Sequence, residues 1–379
     1  MMKPQSMSER DRFIAVMEYQ AVDRVPNHEV GVWAQTIDRW EQEGLNRYSL
    51  TWDWFTGCEY FNMDAKEYIP VNYGMLPPFE VETLEENDRY VVYRHANGIV
   101  TKALKEGTSG GMRASMDQYL DFPVKTIEDF RALKKRYDPC LAGRYPPMWR
   151  KLYLPRWRQR DHVLVLGENC STLGFYWRAR EWMGTEGVSY GWYDQPALMH
   201  EMMEFIADFT MEVSRPILEE VAPDFMFINE DMSMKNGPLL SPKTYRTFIF
   251  PHMRRMVEFF KGYGVRYVIV DTDGNCEALL PLLMDAGVDG IWPVERASSM
   301  DPAAIRKKYG KALRLWGAVD KRELAKDHAA IEDHLRSLAP LVEEGGFIPT
   351  VDHLVPPDVP FDNFCYYMKR KQALLEGRF

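Results

Sequence analysis

The chain has 379 residues, a net charge of −9 and a pI near 5.5. That balance excludes a general nucleic-acid surface, which needs clustered excess Lys and Arg; the basic run Arg131–Arg136 reads as a solvated helix face. Five cysteines (Cys58, Cys140, Cys170, Cys276, Cys365) are widely spaced, odd in number and form no CxxC pair, which argues against a disulfide framework or a thiolate zinc cluster and fits a reducing cytoplasm.

The N-terminus MMKPQSMSERDRF has no apolar signal core, and no run of about 18 apolar residues follows, so neither secretion nor a membrane span is expected. Residues 8–19 predict a helix: Ser8 can cap it, while Phe13, Val16 and Met17 recur at helical spacing. DRVP (23–26) ends it, and VPNHEVGVW (25–33) reads as a first strand with His28 and Glu29 as polar insertions. From Tyr68 to Lys105 the pattern turns to β-type alternation. Within it, YVVYRHANGIVTKAL, with Ala96-Asn97-Gly98 between two strand-like runs, predicts a hairpin. Such an antiparallel excursion is foreign to a barrel repeat and reads as an insertion at the mouth or against a partner. GTSGGMRAS (107–115) matches no phosphate-binding loop.

Residues 123–137 read as helical, and HVLVLGENC (162–170) returns to strand character. Helices are expected at about 195–220, 241–262, 276–286, 301–309 and 321–344. They alternate with apolar runs that end on acids or histidine: FMFINED (225–231), VRYVIVDTDG (265–274), GVDGIWPVE (287–295), LRLWGAVD (313–320) and GFIPTVDH (346–353). A parallel strand covered on both faces is apolar throughout and turns polar where it leaves the core. Strand–helix alternation of this kind fits a closed barrel or an open doubly wound sheet. In a barrel, the strand ends form the active-site rim. Glu230, Asp231, Asp271, Asp273, Glu295, Asp320, Asp352 and His353 are thereby candidates for one mouth, each with an alternative as helix cap or turn residue.

Within Asp271-Thr272-Asp273-Gly274-Asn275, two carboxylates at i and i+2 followed by Gly can direct oxygen ligands into a pocket; a plain Asp-Gly turn fits equally well. His353, in the proline-rich PTVDHLVPPDVP, can be a metal ligand, a proton carrier or a structural histidine. Lys235 can meet an anionic substrate group. Ser241-Pro242 reads as a helix start. HEMME (200–204) lacks the second histidine of a zincin helix. The chain is rich in aromatic residues, with 11 Trp, 20 Tyr and 19 Phe. Trp33, Trp177 and Trp292 fall near expected strand ends, where they and His28 can line a flat apolar cavity for an unsaturated ring.

SERDRFIAVMEYQAVDRVP, NGPLLSPKTYRTFIFPH, DTDGN, GVDGIWPVE, YGKALRLWGAVDKRELA and EEGGFIPTVDHLVPPDVPFDNFCYY together resemble the uroporphyrinogen decarboxylase superfamily, which includes corrinoid-dependent methyltransferases. The resemblance spans nearly the full length and implies a single (β/α)₈ TIM-barrel domain over 1–379, with an N-terminal helix and a β-hairpin insertion near the mouth. VPNHEVGVW lacks the arginine-rich segment with which the decarboxylases hold substrate carboxylates. Where the methyltransferases carry His-x-Cys-Gly, this chain has Asp271-Thr272-Asp273-Gly274, and His353 falls near their later cysteine. The resemblance therefore implies an oxygen/nitrogen site, with Asp273, His353 and either Glu295 or Glu230 as ligands of a divalent metal such as zinc, in place of a thiolate site.

The expected activity is methyl transfer from a methoxylated aromatic donor to the cobalt of a separate corrinoid protein, with Glu230, Asp231, Asp271 and Lys235 as catalytic candidates. No DxHxxG cobalamin signature occurs in the chain, so the corrinoid would ride on the partner. A decarboxylase or other lyase is the alternative, and a non-catalytic binding barrel a third reading.

Overall fold

The computed structural model describes residues 6–46, 58–109, 112–113, 116–167 and 173–379. Trp52, Trp54, Phe55, Glu168, Cys170 and part of the 107–115 segment lie outside the described residues. Seven parallel strands form one sheet in chain order: Lys66–Tyr68, Val163–Leu166, Phe225–Asn229, Tyr267–Asp271, Gly290–Val294, Arg314–Val319 and Phe347–Val351. Four of them, Val163–Leu166, Phe225–Asn229, Tyr267–Asp271 and Phe347–Val351, are buried at every position, as expected of strands covered on both faces. Helices cross between successive strands, among them Pro196–Leu218, Phe250–Gly262 and His328–Glu344.

The sheet curls into a barrel-like fold. Its two edge strands, Lys66–Tyr68 and Phe347–Val351, are joined by the extended segment 25–33, although that segment makes one parallel bridge, Val32 with Val355, and no full ladder. The expected eighth strand is thus reduced, for a local reason. Pro26 has no N–H to give, and the Val351 N–H goes to the Glu29 carboxylate (2.9 Å) where a ladder would offer a backbone carbonyl. On the other side, the Asp64 N–H donates to the Asn27 carbonyl (2.9 Å).

The N-terminal helix, Glu9–Met17, is capped by Ser8, whose Oγ accepts the Asp11 N–H. It lies across the start of the strands. Phe13 inserts there with ring centroids 5.5 Å from Phe225, 6.1 Å from Tyr267 and 6.0 Å from Trp316, closing that end of the bore.

The predicted hairpin forms between Tyr90–Arg94 and Val100–Leu104 and belongs to a four-stranded antiparallel sheet with Glu82–Glu86 and Gln118–Asp121. This sheet leans on the helix Phe175–Asp194 through the Asn97 amide, which donates to Glu181 (3.1 Å). Gln35, on the helix Ala34–Gln42, reaches the Gly107 carbonyl (3.4 Å). Among the described residues no helix is long and apolar enough to cross a membrane.

Candidate active site

Strand side chains alternate between bore and exterior, so register fixes what faces the bore. Asn229 and Asp271, the last residues of their strands, pair with each other, and Asp271 pairs on its other side with Trp292 in the middle of the next strand. Asn229 Nδ2 donates to Asp271 Oδ2 at 2.7 Å. Burial pushes the Asp271 carboxyl well above the usual carboxylate range, and the negative charges of Asp273 and Asp231 push it further.

Past Asn229 the chain turns sharply. The Glu230 N–H donates to the Asp271 carbonyl (2.7 Å), and Asp231 sits at φ +38°, in the left-handed region that Asp tolerates better than most residues. Asp231 Oδ2 pairs with the Arg180 guanidinium at 2.6 Å. Burial raises the Asp231 carboxyl; Arg180 opposes the shift without cancelling it.

Glu230 faces away from the bore, completely buried against the first turn of Phe175–Asp194. Its Oε2 accepts the Tyr176 N–H at 2.7 Å, while Oε1 has no partner. Burial pushes this carboxyl up to about 7, against the lowering pull of the Phe175, Tyr176 and Trp177 amides. A side chain at Gly174 would put Cβ 1.7 Å from the Asn229 carbonyl oxygen, so only glycine lets helix and strand end approach this closely.

The loop after Asp271 brings Asp273 Oδ2 to 3.5 Å from His353 Nε2. Burial alone would lower the imidazole pKa, but the hydrogen bond and charge of Asp273 outweigh it and raise His353 above its ordinary value. Trp33 lies parallel to the His353 ring, centroids 6.3 Å apart at 22°. Gly274, at φ +78°, tucks under the Ser233–Pro238 hairpin, where a Cβ would come within 2.7 Å of the Ser233 backbone.

Glu295 is tied down on both oxygens, receiving Lys321 Nζ (3.1 Å) on one and the Gly274 N–H (3.0 Å) with Ser298 Oγ (2.9 Å) on the other. Burial raises its carboxyl, but Lys321 and these donors prevail and hold it below the usual range. Lys321 also stands 3.8 Å from the buried Asp352, whose oxygens accept the Arg296 and Lys321 N–H groups. Asp320 caps the short helix Lys321–Leu324 and pairs with Arg322, as a strand-end cap would.

The structure therefore brings Asp231, Asp271, Asp273 and His353 into one electrostatic group, with Trp33 stacked on it and Trp292 paired to Asp271. It places other candidates elsewhere. Lys235 is exposed at the tip of the Ser233–Pro238 hairpin. Trp177 lies under Arg180, with the guanidinium 4.5 Å from its ring. His28 lies deep in the bore, stacked on Trp316 with centroids 5.4 Å apart. Arg180, Lys321 and Asn229 escaped the sequence reading; Arg180 follows Trp177 by three positions, the spacing of a shared helix face.

Asp273 and His353 meet, but Glu295 is committed to Lys321, and among the described residues no three His, Cys, Asp or Glu side chains cluster closely enough to hold a metal ion.

The profile of the family described as "Uroporphyrinogen decarboxylase (URO-D)" matches residues 119–373. Curated relatives include the uroporphyrinogen decarboxylase of Nocardia farcinica, 28% identical over 172 residues, or 44% of this chain and 46% of that enzyme. The enzyme of Gloeobacter violaceus is 22% identical over 185 residues, 48% of this chain and 50% of its own. The chain spans about half the length of the curated relatives it matches. Among solved structures, a methyltransferase from Methanosarcina mazei shares the fold over 97% of this chain and 99% of its own, with a TM-score of 0.60 and 14% identity. With well over half of its length matched by that profile, the chain belongs to the uroporphyrinogen decarboxylase family.

Proposed function

We propose that this chain is the methyltransferase of a corrinoid-dependent demethylase system, moving a methyl group from a methoxylated aromatic donor to the cobalt of a separate corrinoid protein. The observation that carries the reading is Asp271, a carboxyl at the inner edge of the mouth whose hold on its proton is strengthened by burial and by the neighbouring carboxylates. Ether cleavage needs such an acid, because an alkoxide or phenoxide leaves far more readily once protonated.

In this reading Asp271 gives its proton to the ether oxygen as the carbon–oxygen bond breaks. The bond's electron pair stays on oxygen and the donor leaves as the phenol. The methyl group passes to the acceptor, whose own electron pair makes the new bond. His353, whose pKa Asp273 raises above its ordinary value, adds positive charge near the developing oxyanion when its imidazole is protonated. The fold neighbour from Methanosarcina mazei bears the name methyltransferase, which supports the reading.

Charge balance at the mouth supports it too. Arg180 is matched by Asp231, Lys321 by Glu295 and Asp352, and His353 by Asp273. A neutral ether suits that balance better than a tetrapyrrole with many carboxylates. Decarboxylation remains the second reading, favoured by the curated relatives.

The test is methyl transfer from a panel of methoxyarenes to free cob(I)alamin, with carbon dioxide release from a porphyrinogen as the counter-assay. We expect methyl transfer, a drop of roughly 10²- to 10⁴-fold in Asp271→Asn, and no loss on treatment with a chelator. Carbon dioxide release without methyl transfer, or an Asp271→Asn variant at the wild-type rate, would overturn the proposal.

A further inference from the structure

Alternation along the strand Phe225–Asn229 sets Phe225, Phe227 and Asn229 on its inner face, and the two rings line the hollow of the bore. Their centroids lie 5.6 Å from Trp316 and 5.6 Å from Trp292, respectively. Asn229 breaks this apolar series at the level of Asp271, its partner in register. Its Nδ2 donates to Asp271 Oδ2 at 2.7 Å, and among the described residues that is the one hydrogen bond the side chain makes. Its Oδ1 is buried without a partner, in a residue 4% exposed. An unpaired buried acceptor is a cost to the fold that a third apolar side chain would not carry. The backbone here is fixed from two sides. The Glu230 N–H donates to the Asp271 carbonyl at 2.7 Å, and the helix terminus at Gly174 packs so closely that a Cβ there would lie 1.7 Å from the Asn229 carbonyl oxygen.

We propose that Asn229 is the positioning residue of Asp271, orienting its carboxyl and stabilising the carboxylate that it becomes on giving up its proton. The inference rests on the methyl-transfer reading. A carboxylic acid has one carbonyl oxygen that accepts and one hydroxyl that donates. Asn229 Nδ2 only donates, so it makes Oδ2 the accepting oxygen and leaves the proton on Oδ1. The opposite amide orientation would turn the Asn229 carbonyl toward the acid, hold that proton back in a hydrogen bond and strand both N–H donors. As the ether bond breaks, the proton passes from Oδ1 to the leaving oxygen and its bonding electron pair stays on the carboxylate. The charge spreads over both carboxylate oxygens, so the Asn229 bond turns from neutral to charge-assisted during the step itself. That gain counts because Asp231 and Asp273 disfavour a further negative charge between them. Arg180 and His353 are already paired with those two acids, and Asn229 is the side chain that donates to Asp271.

The experiment compares methyl transfer to free cob(I)alamin from anisole, whose leaving phenolate is strongly basic, and from 4-methoxybenzonitrile, whose phenolate is less so. A fault in proton delivery slows the more basic leaving group more, whereas a merely structural fault slows both alike. Asn229→Leu and Asn229→Ala, shown to be folded by circular dichroism, should lower kcat about tenfold for anisole and about twofold for the nitrile, with KM little changed. Equal losses for the two methyl donors, or no loss, would overturn the positioning role and leave methyl transfer standing. No transfer by the wild type from either would sink the functional reading and the role with it. Infrared spectra of the wild-type chain test the bond itself. The carboxyl C=O band that disappears in Asp271→Asn should lie where a hydrogen-bonded carbonyl absorbs, and it should move to higher wavenumber in Asn229→Leu. A band at the position of a free carbonyl, or no such band, would overturn the proposal even if both Asn229 variants fail to fold.

Discussion

The two ends of the barrel are made of opposite materials. At the N-terminal end Phe13 packs against Phe225, Tyr267 and Trp316, and the charged groups of its helix are matched in ion pairs, Arg10 with Asp224 and Arg12 with Asp23 and Asp64. At the C-terminal end four titratable groups, Asp231, Asp271, Asp273 and His353, share one small volume, and burial raises two of those carboxyls. The first arrangement lowers the free energy of the fold. The second raises it, because desolvated carboxyls are unfavourable neighbours, and such a cost is tolerated where chemistry uses it.

The largest stability effect should therefore come from the closed end. Phe13→Ala removes a fully buried ring with three aromatic neighbours and should cost about 3–5 kcal/mol of unfolding free energy, read from the urea midpoint. Methyl transfer per folded molecule should stay near wild type. A loss below about 1 kcal/mol, or a catalytic defect without a stability defect, would erase the distinction between the two ends.

Glu230 tests the boundary between them, since it belongs to the mouth by sequence and to the core by burial. Its folded pKa of about 7 lies above its ordinary 4.5. Between those values the native state binds a proton that the unfolded chain has released, so stability falls as pH rises through that window. The difference amounts to about 3 kcal/mol. Glu230→Gln keeps an oxygen for the Tyr176 N–H and removes the titration, so its stability relative to wild type should improve from pH 5 to pH 8. A difference between the two chains that does not change with pH would show that Glu230 does not titrate in this way.

Sequence reading succeeded where local pattern and tertiary role coincide. An apolar run that ends on Asp271, or one that ends on Asp352 and His353, is a strand leaving the core, and the structure shows both. It failed where long-range packing overrides the local signal. The helix Phe175–Asp194 carries Gly184, Gly187 and Gly191, and its apolar residues wrap around it with no single stripe to announce it, so its Arg180 went unseen. The segment 25–33 looks like a strand, yet Pro26 and Glu29 divert its hydrogen bonds, a fact set by Val351 more than 300 residues away. Glu230 and Asp231 are adjacent and look equivalent in sequence; the positive φ at Asp231 turns one carboxylate toward Arg180 and leaves the other under the helix terminus.

The mildest effect is expected at the rim, where His353 and Asp273 are both partly exposed. His353 acts on the leaving oxygen through its charge, and a group that does not itself transfer the proton should matter less than the roughly 10²-fold lower bound for one that does. Its pKa is raised because Asp273 outweighs burial. Activity should accordingly fall on the alkaline side as His353 loses its proton. Replacing Asp273 by Asn removes the main opposition to burial, with only Glu295 still raising the imidazole, so that alkaline limb should move toward acid; His353→Gln should abolish the limb and lower the plateau. The pair of pH–rate profiles separates charge from mere packing, because a structural role would lower the rate at every pH without moving the limb. Identical profiles in wild type and both variants would take the rim pair out of the reaction and leave Asp271 with Arg180 and Asp231 as the chemistry of the mouth.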